Sequence, residues 1–119
     1  WEPKHVDDIY VTYEEAMRDQ PLDGLILTGA PVETIDYEDV HYWEEIKTIL
    51  SDARKNIPST LGLCWAGFVM AYLEGVKKLN YDHKLFGVFE LKNLAPDHPI
   101  MGELDDVFFC PQSRHAGMP

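Results

Sequence analysis

The chain has 119 residues, 45% of them hydrophobic and 26% charged, which suits one globular domain with a single core and no long disordered tract. Twenty-one acidic against ten basic side chains leave a formal charge of −11, so a nucleic-acid backbone or an anionic membrane surface would repel it. Its apolar runs fall far short of the roughly 20 residues that span a bilayer, no signal-peptide pattern opens it, and two cysteines, Cys64 and Cys110, make neither a disulfide framework nor a zinc-like spacing; a cytoplasmic protein with reduced thiols, no metal and no bound cofactor is expected.

In chain order, residues 7–19 give mixed signals, with Tyr13-Glu14-Glu15-Ala16-Met17 predicted as a short helix. Asp23-Gly24-Leu25-Ile26-Leu27-Thr28 is a short apolar run closed by Gly29-Ala30-Pro31, the pattern of a buried strand followed by a loop. From Tyr37 to Asn56 the apolar positions Val40, Trp43, Ile46, Ile49, Leu50 and Ala53 recur at three- and four-residue steps, which predicts an amphipathic helix, and Pro58 follows its end. A second strand is predicted over Thr60 to Cys64 and a helix over Ala66 to Leu73, so strand, helix and strand form a right-handed parallel crossover. Beyond Gly75, Lys84 to Leu91 and Val107 to Cys110 are predicted as shorter strands that pair with each other, with Arg114-His115-Ala116-Gly117 as a turn. The alternation predicts an α/β fold built on an open, mostly parallel sheet flanked by helices. No repeat or linker divides residues 1–119, so they count as a single domain; with no initiator methionine at Trp1 they read as a piece of something longer, incomplete at both ends.

Cys64 carries the strongest chemical signal. It leaves a strand, precedes a helix and lies between Gly62 and Gly67, which is how a nucleophile elbow reads. Glycines ease a sharp turn, and a helix start aims free N–H groups and partial positive charge at the sulfur, favouring the thiolate that attacks acyl groups. A buried core cysteine is the plainer alternative. In parallel sheets, ligands bind beyond the carboxyl ends of the strands, so the Gly29-Ala30-Pro31 loop and Cys64 are expected at one cleft. The backbone N–H groups of Ala30 and Trp65 are then the candidates for an oxyanion hole, one donor of which is worth about 3 kcal/mol in the transition state.

The segments Asp23 to Glu33, Tyr42-Trp43, Ser59-Thr60-Leu61, Cys64-Trp65, Lys84 to Glu90 and Pro111-Gln112-Ser113-Arg114-His115, in this order along nearly the whole chain, resemble the homoserine O-acyltransferases, also called homoserine transsuccinylases. The resemblance implies a flavodoxin-like, class I glutamine amidotransferase-like fold, of which this chain is the central portion. It also implies acyl transfer from acyl-CoA to the hydroxyl of homoserine, in methionine biosynthesis, by a two-step cysteine mechanism. Cys64 matches the nucleophile, and Lys84 and Ser113 match substrate-binding positions. Glu33 matches the position that sorts the acyl donor, where a glutamate accompanies acetyl-CoA and a small residue succinyl-CoA. The physics agrees, because two carboxylates about 4 Å apart repel by roughly 4 kcal/mol at an effective dielectric near 20, an upper guide to discrimination. The implied partners are therefore small molecules, acetyl-CoA as co-substrate and homoserine as acceptor, with a homodimer as the alternative to a monomer.

Four features depart from the family pattern. No glutamine follows Cys64 in Trp65-Ala66-Gly67-Phe68-Val69, the spacing from Cys64 to Lys84 is one residue short, and Gln112 stands where histidine is usual. The family's general base is a histidine followed two residues on by glutamate, and none of His5, His41, His83, His98 or His115 is so followed. General base catalysis is worth about 100- to 10,000-fold, so this chain taken alone is expected to be a poor enzyme or inactive. Three alternatives stay open: a serine O-acetyltransferase, a glutaminase, and a non-catalytic relative of the fold.

Overall fold

The computed structural model describes residues 8–119; His5 and Asp7 lie outside them. Contacts cluster into two compact units, Trp1–Val76 and Lys77–Pro119.

In the first unit, helix α1 (Tyr13–Asp19) begins at a capping box, in which the Thr12 hydroxyl accepts from the Glu15 N–H at 3.2 Å and the Glu15 carboxylate accepts from the Thr12 N–H at 2.8 Å. The Thr12 N–H bond to the carboxylate, and a second from the Thr12 hydroxyl at 2.9 Å, lower the Glu15 pKa. Strand β1 (Leu25–Leu27) follows. The long helix expected over Tyr37 to Asn56 is two elements, a 3-10 turn over Tyr37–Asp39 and helix α2 (Trp43–Asn56). Tyr37, Val40 and Trp43 are all buried, and their three-residue spacing is eclipsed in a 3-10 turn rather than in an α-helix. Val40 N–H donates to the Tyr37 carbonyl at 3.1 Å and Trp43 N–H to the Val40 carbonyl at 2.9 Å, so i to i+3 bonds carry the chain into α2.

Strand β2 (Thr60–Gly62) pairs in parallel with β1, Leu25 opposite Thr60, Ile26 opposite Leu61 and Leu27 opposite Gly62. Helix α3 (Trp65–Leu73) starts three residues later. Its end is a Schellman turn: Gly75, at φ 89°, donates to the Tyr72 carbonyl at 2.9 Å and Val76 to the Ala71 carbonyl at 2.9 Å. The core joins the 3-10 turn, α2 and α3 through Tyr37, Val40, Trp43, Leu50, Trp65 and Val69, with Leu27, Ala30 and Val32 packed against it. Tyr37 stacks on Tyr72 at 4.3 Å and on Trp43 at 5.3 Å between ring centroids.

The second unit is an antiparallel ribbon of β3 (Leu79–Lys92) and β4 (Val107–Gly117), paired with each other as the sequence predicts but longer. Arg114 to Gly117 are not a turn. They continue β4, Arg114 opposite Leu85, Ala116 opposite Asn80 and Gly117 opposite Leu79, and Gly117 passes under Tyr81, where a Cβ would overlap the Tyr81 hydroxyl. The register slips between Asn80 and Leu85, so Tyr81 to Lys84 bulge from the ladder. Pro111, opposite Val88, is tolerated because each strand of a two-stranded ribbon is an edge. The buried Asn93 side chain holds the following loop, donating to the Met101 carbonyl at 2.9 Å and accepting from the Ala95 N–H at 3.0 Å.

The chain is thus α/β, and of the expected mostly parallel sheet the described residues contain one parallel pair, the other pair being antiparallel. Among the described residues no helix is long and apolar enough to cross a membrane, and no group of three or more His, Cys, Asp or Glu could hold a metal.

Candidate active site

Gly62 and Gly67 do not bear the sharp turn at Cys64; they abut each other. A Cβ on Gly62 would lie 2.7 Å from Met70 Sδ and 2.9 Å from the Gly67 nitrogen, and one on Gly67 would lie 3.2 Å from the Gly62 carbonyl oxygen. Two bare positions let β2 run straight into α3, and the backbone reversal falls on the residue between them. Cys64 takes φ 56° and ψ −123°, and among the described residues no other non-glycine has a positive φ. Such a conformation costs about 1–3 kcal/mol and persists only where the surroundings impose it. Here they do: β2 is paired, and Trp65, 1% exposed, is fixed in the aromatic core with its ring 5.9 Å from that of Tyr42.

This geometry presents an exposed thiol at a helix start. The Cys64 carbonyl accepts from Gly67 N–H at 3.0 Å, and Ala66 N–H donates to the Leu63 carbonyl at 3.2 Å. Among the described residues no carbonyl takes the N–H of Trp65 or of Ala30, which leaves both amides as donors. The indole nitrogen of Trp65 is likewise buried without a partner among them. The loop after β1 reaches the thiol directly. A Cβ on Gly29 would be 2.6 Å from Cys64 Cβ, 2.8 Å from Cys64 Sγ and 3.1 Å from the Trp65 nitrogen. Ala30 is half-buried against the core, and two tight turns follow it, Val32 N–H donating to the Ala30 carbonyl at 2.8 Å and Ile35 N–H to the Val32 carbonyl at 3.1 Å. Glu33 sits half-buried inside them. No side chain among the described residues hydrogen-bonds the Cys64 thiol.

Cys64, Trp65, Ala30 and Glu33 therefore belong to one unit, with the first three drawn together through Gly29. Sequence reasoning named Gly29 only as part of a loop; its contact with the thiol has no local signature beyond its place at the carboxyl end of a parallel strand. Lys84 and Ser113 lie in the other unit. Both are exposed, and both neighbour Phe86: Lys84 Nζ stands 5.8 Å from the Phe86 ring centroid, and Ser113 is its cross-strand partner. Gln112, the departure next to Ser113, donates to Cys110 Sγ at 3.1 Å.

Comparison with known proteins matches the chain along its length. The family model described as homoserine O-succinyltransferase matches residues 1–119. Among curated proteins, the homoserine O-acetyltransferase of Bacteroides thetaiotaomicron is 46% identical over 114 residues, covering 95% of this chain and 37% of the relative. Those of Ruegeria sp. and Petrotoga mobilis are 42% and 41% identical, covering 96% and 95% of this chain. The chain spans little more than a third of the length of these relatives, 36% to 37%.

Proposed function

Because the chain belongs to the homoserine O-succinyltransferase family, we propose that it is the nucleophile-bearing central part of a cytoplasmic enzyme that moves an acyl group from acyl-CoA to the hydroxyl of L-homoserine through a thioester on Cys64. The observation that carries the reading is the strained elbow: a residue held at φ 56° between two abutting glycines, exposed and backed by free amides, has its cost explained by chemistry at the sulfur.

In the first half-reaction Cys64 Sγ attacks the acyl carbonyl carbon, a carbon–sulfur bond forms, and coenzyme A leaves as its thiol. In the second the homoserine oxygen attacks the same carbon, the bond to Sγ breaks, and the proton of the hydroxyl returns to the sulfur through a base. The carbonyl oxygen carries negative charge in both tetrahedral intermediates, and the N–H groups of Trp65 and Ala30 are the donors at hand. Lys84 offers an ammonium for a carboxylate or phosphate, and Ser113 a hydroxyl for the amino acid. The base is supplied from outside these 119 residues, which alone turn over little or no substrate. The fold is read as class I glutamine amidotransferase-like, a reading that rests on the resemblance and is supported by the parallel β1–β2 pair with α2 between its strands.

Acetyl-CoA is the proposed donor. Glu33 supports it, as do the acetyltransferase names of the relatives, while the family model carries the succinyl name. Intact-mass spectrometry of the full-length protein with each CoA ester tests donor and nucleophile together. The expected result is a Cys64-dependent acetyl adduct that clears on adding homoserine and persists with serine, absent in Cys64→Ala; Glu33→Ala is expected to admit succinyl-CoA. No adduct from either ester would refute the reading.

A further inference from the structure

We propose that Gly29 is a positioning residue for the nucleophile, its missing side chain being the space into which the Cys64 thiol is set beside the Trp65 amide. The inference rests on the proposed acyl transfer through Cys64. Conformational freedom does not account for glycine at this position, because the positive-φ glycines are Gly75 and Gly87, so the Gly29 backbone would accept alanine. Space accounts for it. An added methyl would stand 2.6 Å from Cys64 Cβ and 2.8 Å from Sγ, well inside the optimum of about 3.5–4.0 Å for two carbon atoms. At Gly24, one residue before the same strand, the nearest atom to such a methyl is the Ser59 carbonyl oxygen at 3.7 Å, an ordinary contact.

Cys64 has little freedom to yield. Its backbone is clamped by the Gly62–Gly67 contact on one side and by the buried Trp65 on the other. A side chain at position 29 must therefore turn the thiol about its own Cα–Cβ bond or push the β1 loop away, and either movement separates the sulfur from the amide donors it shares with that loop. Near-attack geometry lost by about 1 Å costs on the order of 100-fold in rate.

The test compares two reactions of Cys64 in the full-length protein and in Gly29→Ala. Acylation by acetyl-CoA passes through an oxyanion and needs the amides; alkylation by iodoacetamide develops no oxyanion and needs only an accessible thiol. The expected result is a single-turnover acylation rate about 100-fold lower with the alkylation rate within about threefold of wild type. Equal acylation rates, or parallel changes in both reactions, would overturn the proposal. Should Gly29→Ala fail to fold, the same substitution is made with Cys64→Gly, which removes the two closest atoms. Glycine at φ 56° also releases backbone strain, so the reference is Cys64→Gly alone: a double variant as stable as that reference supports the contact, and one that is less stable or fails to fold overturns it. Where wild type forms an adduct and Gly29→Ala matches it, this inference fails and the proposed function stands. Where wild type forms none, the proposed function fails, and denaturation of the two single variants and the double variant still decides the contact: non-additive midpoints support it and additive ones overturn it.

Discussion

The two units hold their candidate residues in opposite ways. Around Cys64, geometry is over-determined: a buried Trp65, two glycines in backbone contact and a third against the thiol leave the nucleophile one arrangement. On the ribbon, Ser113 is ordered by the ladder opposite Phe86 and Lys84 lies in the adjoining bulge with its Nζ 5.8 Å from the Phe86 ring centroid, beside side chains of Phe86, Val88 and Phe109 that are 76%, 68% and 68% exposed. A two-stranded ribbon is marginal by itself in water. The difference teaches that stability and placement of the chemical group are coupled in the first unit and separable in the second, so truncations should hurt the two units unequally.

The largest effect is expected at Trp65. Trp65→Ala removes a ring that is 1% exposed and touches the Tyr37 and Tyr42 rings, and it should cost about 3–5 kcal/mol in urea denaturation. A loss under about 1 kcal/mol would break the comparison, since the core would then not be what clamps the elbow. Next is Gly62→Ala. Its methyl meets Met70 Sδ, which can swing away, but also the Gly67 nitrogen and the Ala66 carbonyl carbon, which cannot; about 1–3 kcal/mol is expected. Gly67→Ala meets one backbone oxygen at 3.2 Å and should cost less than Gly62→Ala, an order that a pair of melting curves checks.

The sequence was readable where period and punctuation agreed. Alternation of apolar runs with the stripe Trp43, Ile46, Leu50, Ala53 located β1, α2 and β2 and their parallel crossover, and Gly75 marked the end of α3. It was unreadable where spacing fits two structures or where distant residues decide. Val40 and Trp43 suit an α-helix as well as a 3-10 turn, and the choice follows from burying Tyr37 on Tyr72, far along the chain. Arg114-His115-Ala116-Gly117 has turn composition, yet pairing with Leu79 and Asn80 overrides it. At the elbow, flanking glycines pointed to the turn, but which residue bears the positive φ follows from the contact of Gly62 with Gly67, which no local pattern records.

A smaller effect is expected at the outer edge of the first unit. Helix α1 buries no residue, and its tie to α2 is the Tyr13 hydroxyl, which donates to the Asp52 carboxylate at 2.8 Å. Partial burial, that bond and the Asp52 charge push the Tyr13 pKa up to about 12 from 10.0. The fold favours the neutral phenol, so its contribution is complete below pH 10 and is lost as pH rises toward 12. Tyr13→Phe should cost about 0.5–1 kcal/mol near neutrality and flatten the fall in stability across that window. Identical slopes for wild type and variant would remove Tyr13 as the cause.

The smallest effect is expected on the ribbon, at Phe86→Ser. The ring is mostly in water, its cross-strand neighbour is Ser113, and serine gives up some strand propensity, so the change in stability should stay within about 0.5 kcal/mol. The same substitution removes the surface over which Lys84 Nζ stands at 5.8 Å and beside which Ser113 projects. If those two side chains hold substrate, the variant should raise the KM for homoserine or acyl-CoA while the melting curve hardly moves. That is the reverse of Trp65→Ala, which should lower stability before it alters any binding constant. A large loss of stability at Phe86 in the full-length protein would instead mean that this face is covered there, and would place the ribbon with the first unit among the parts whose packing and chemistry cannot be separated.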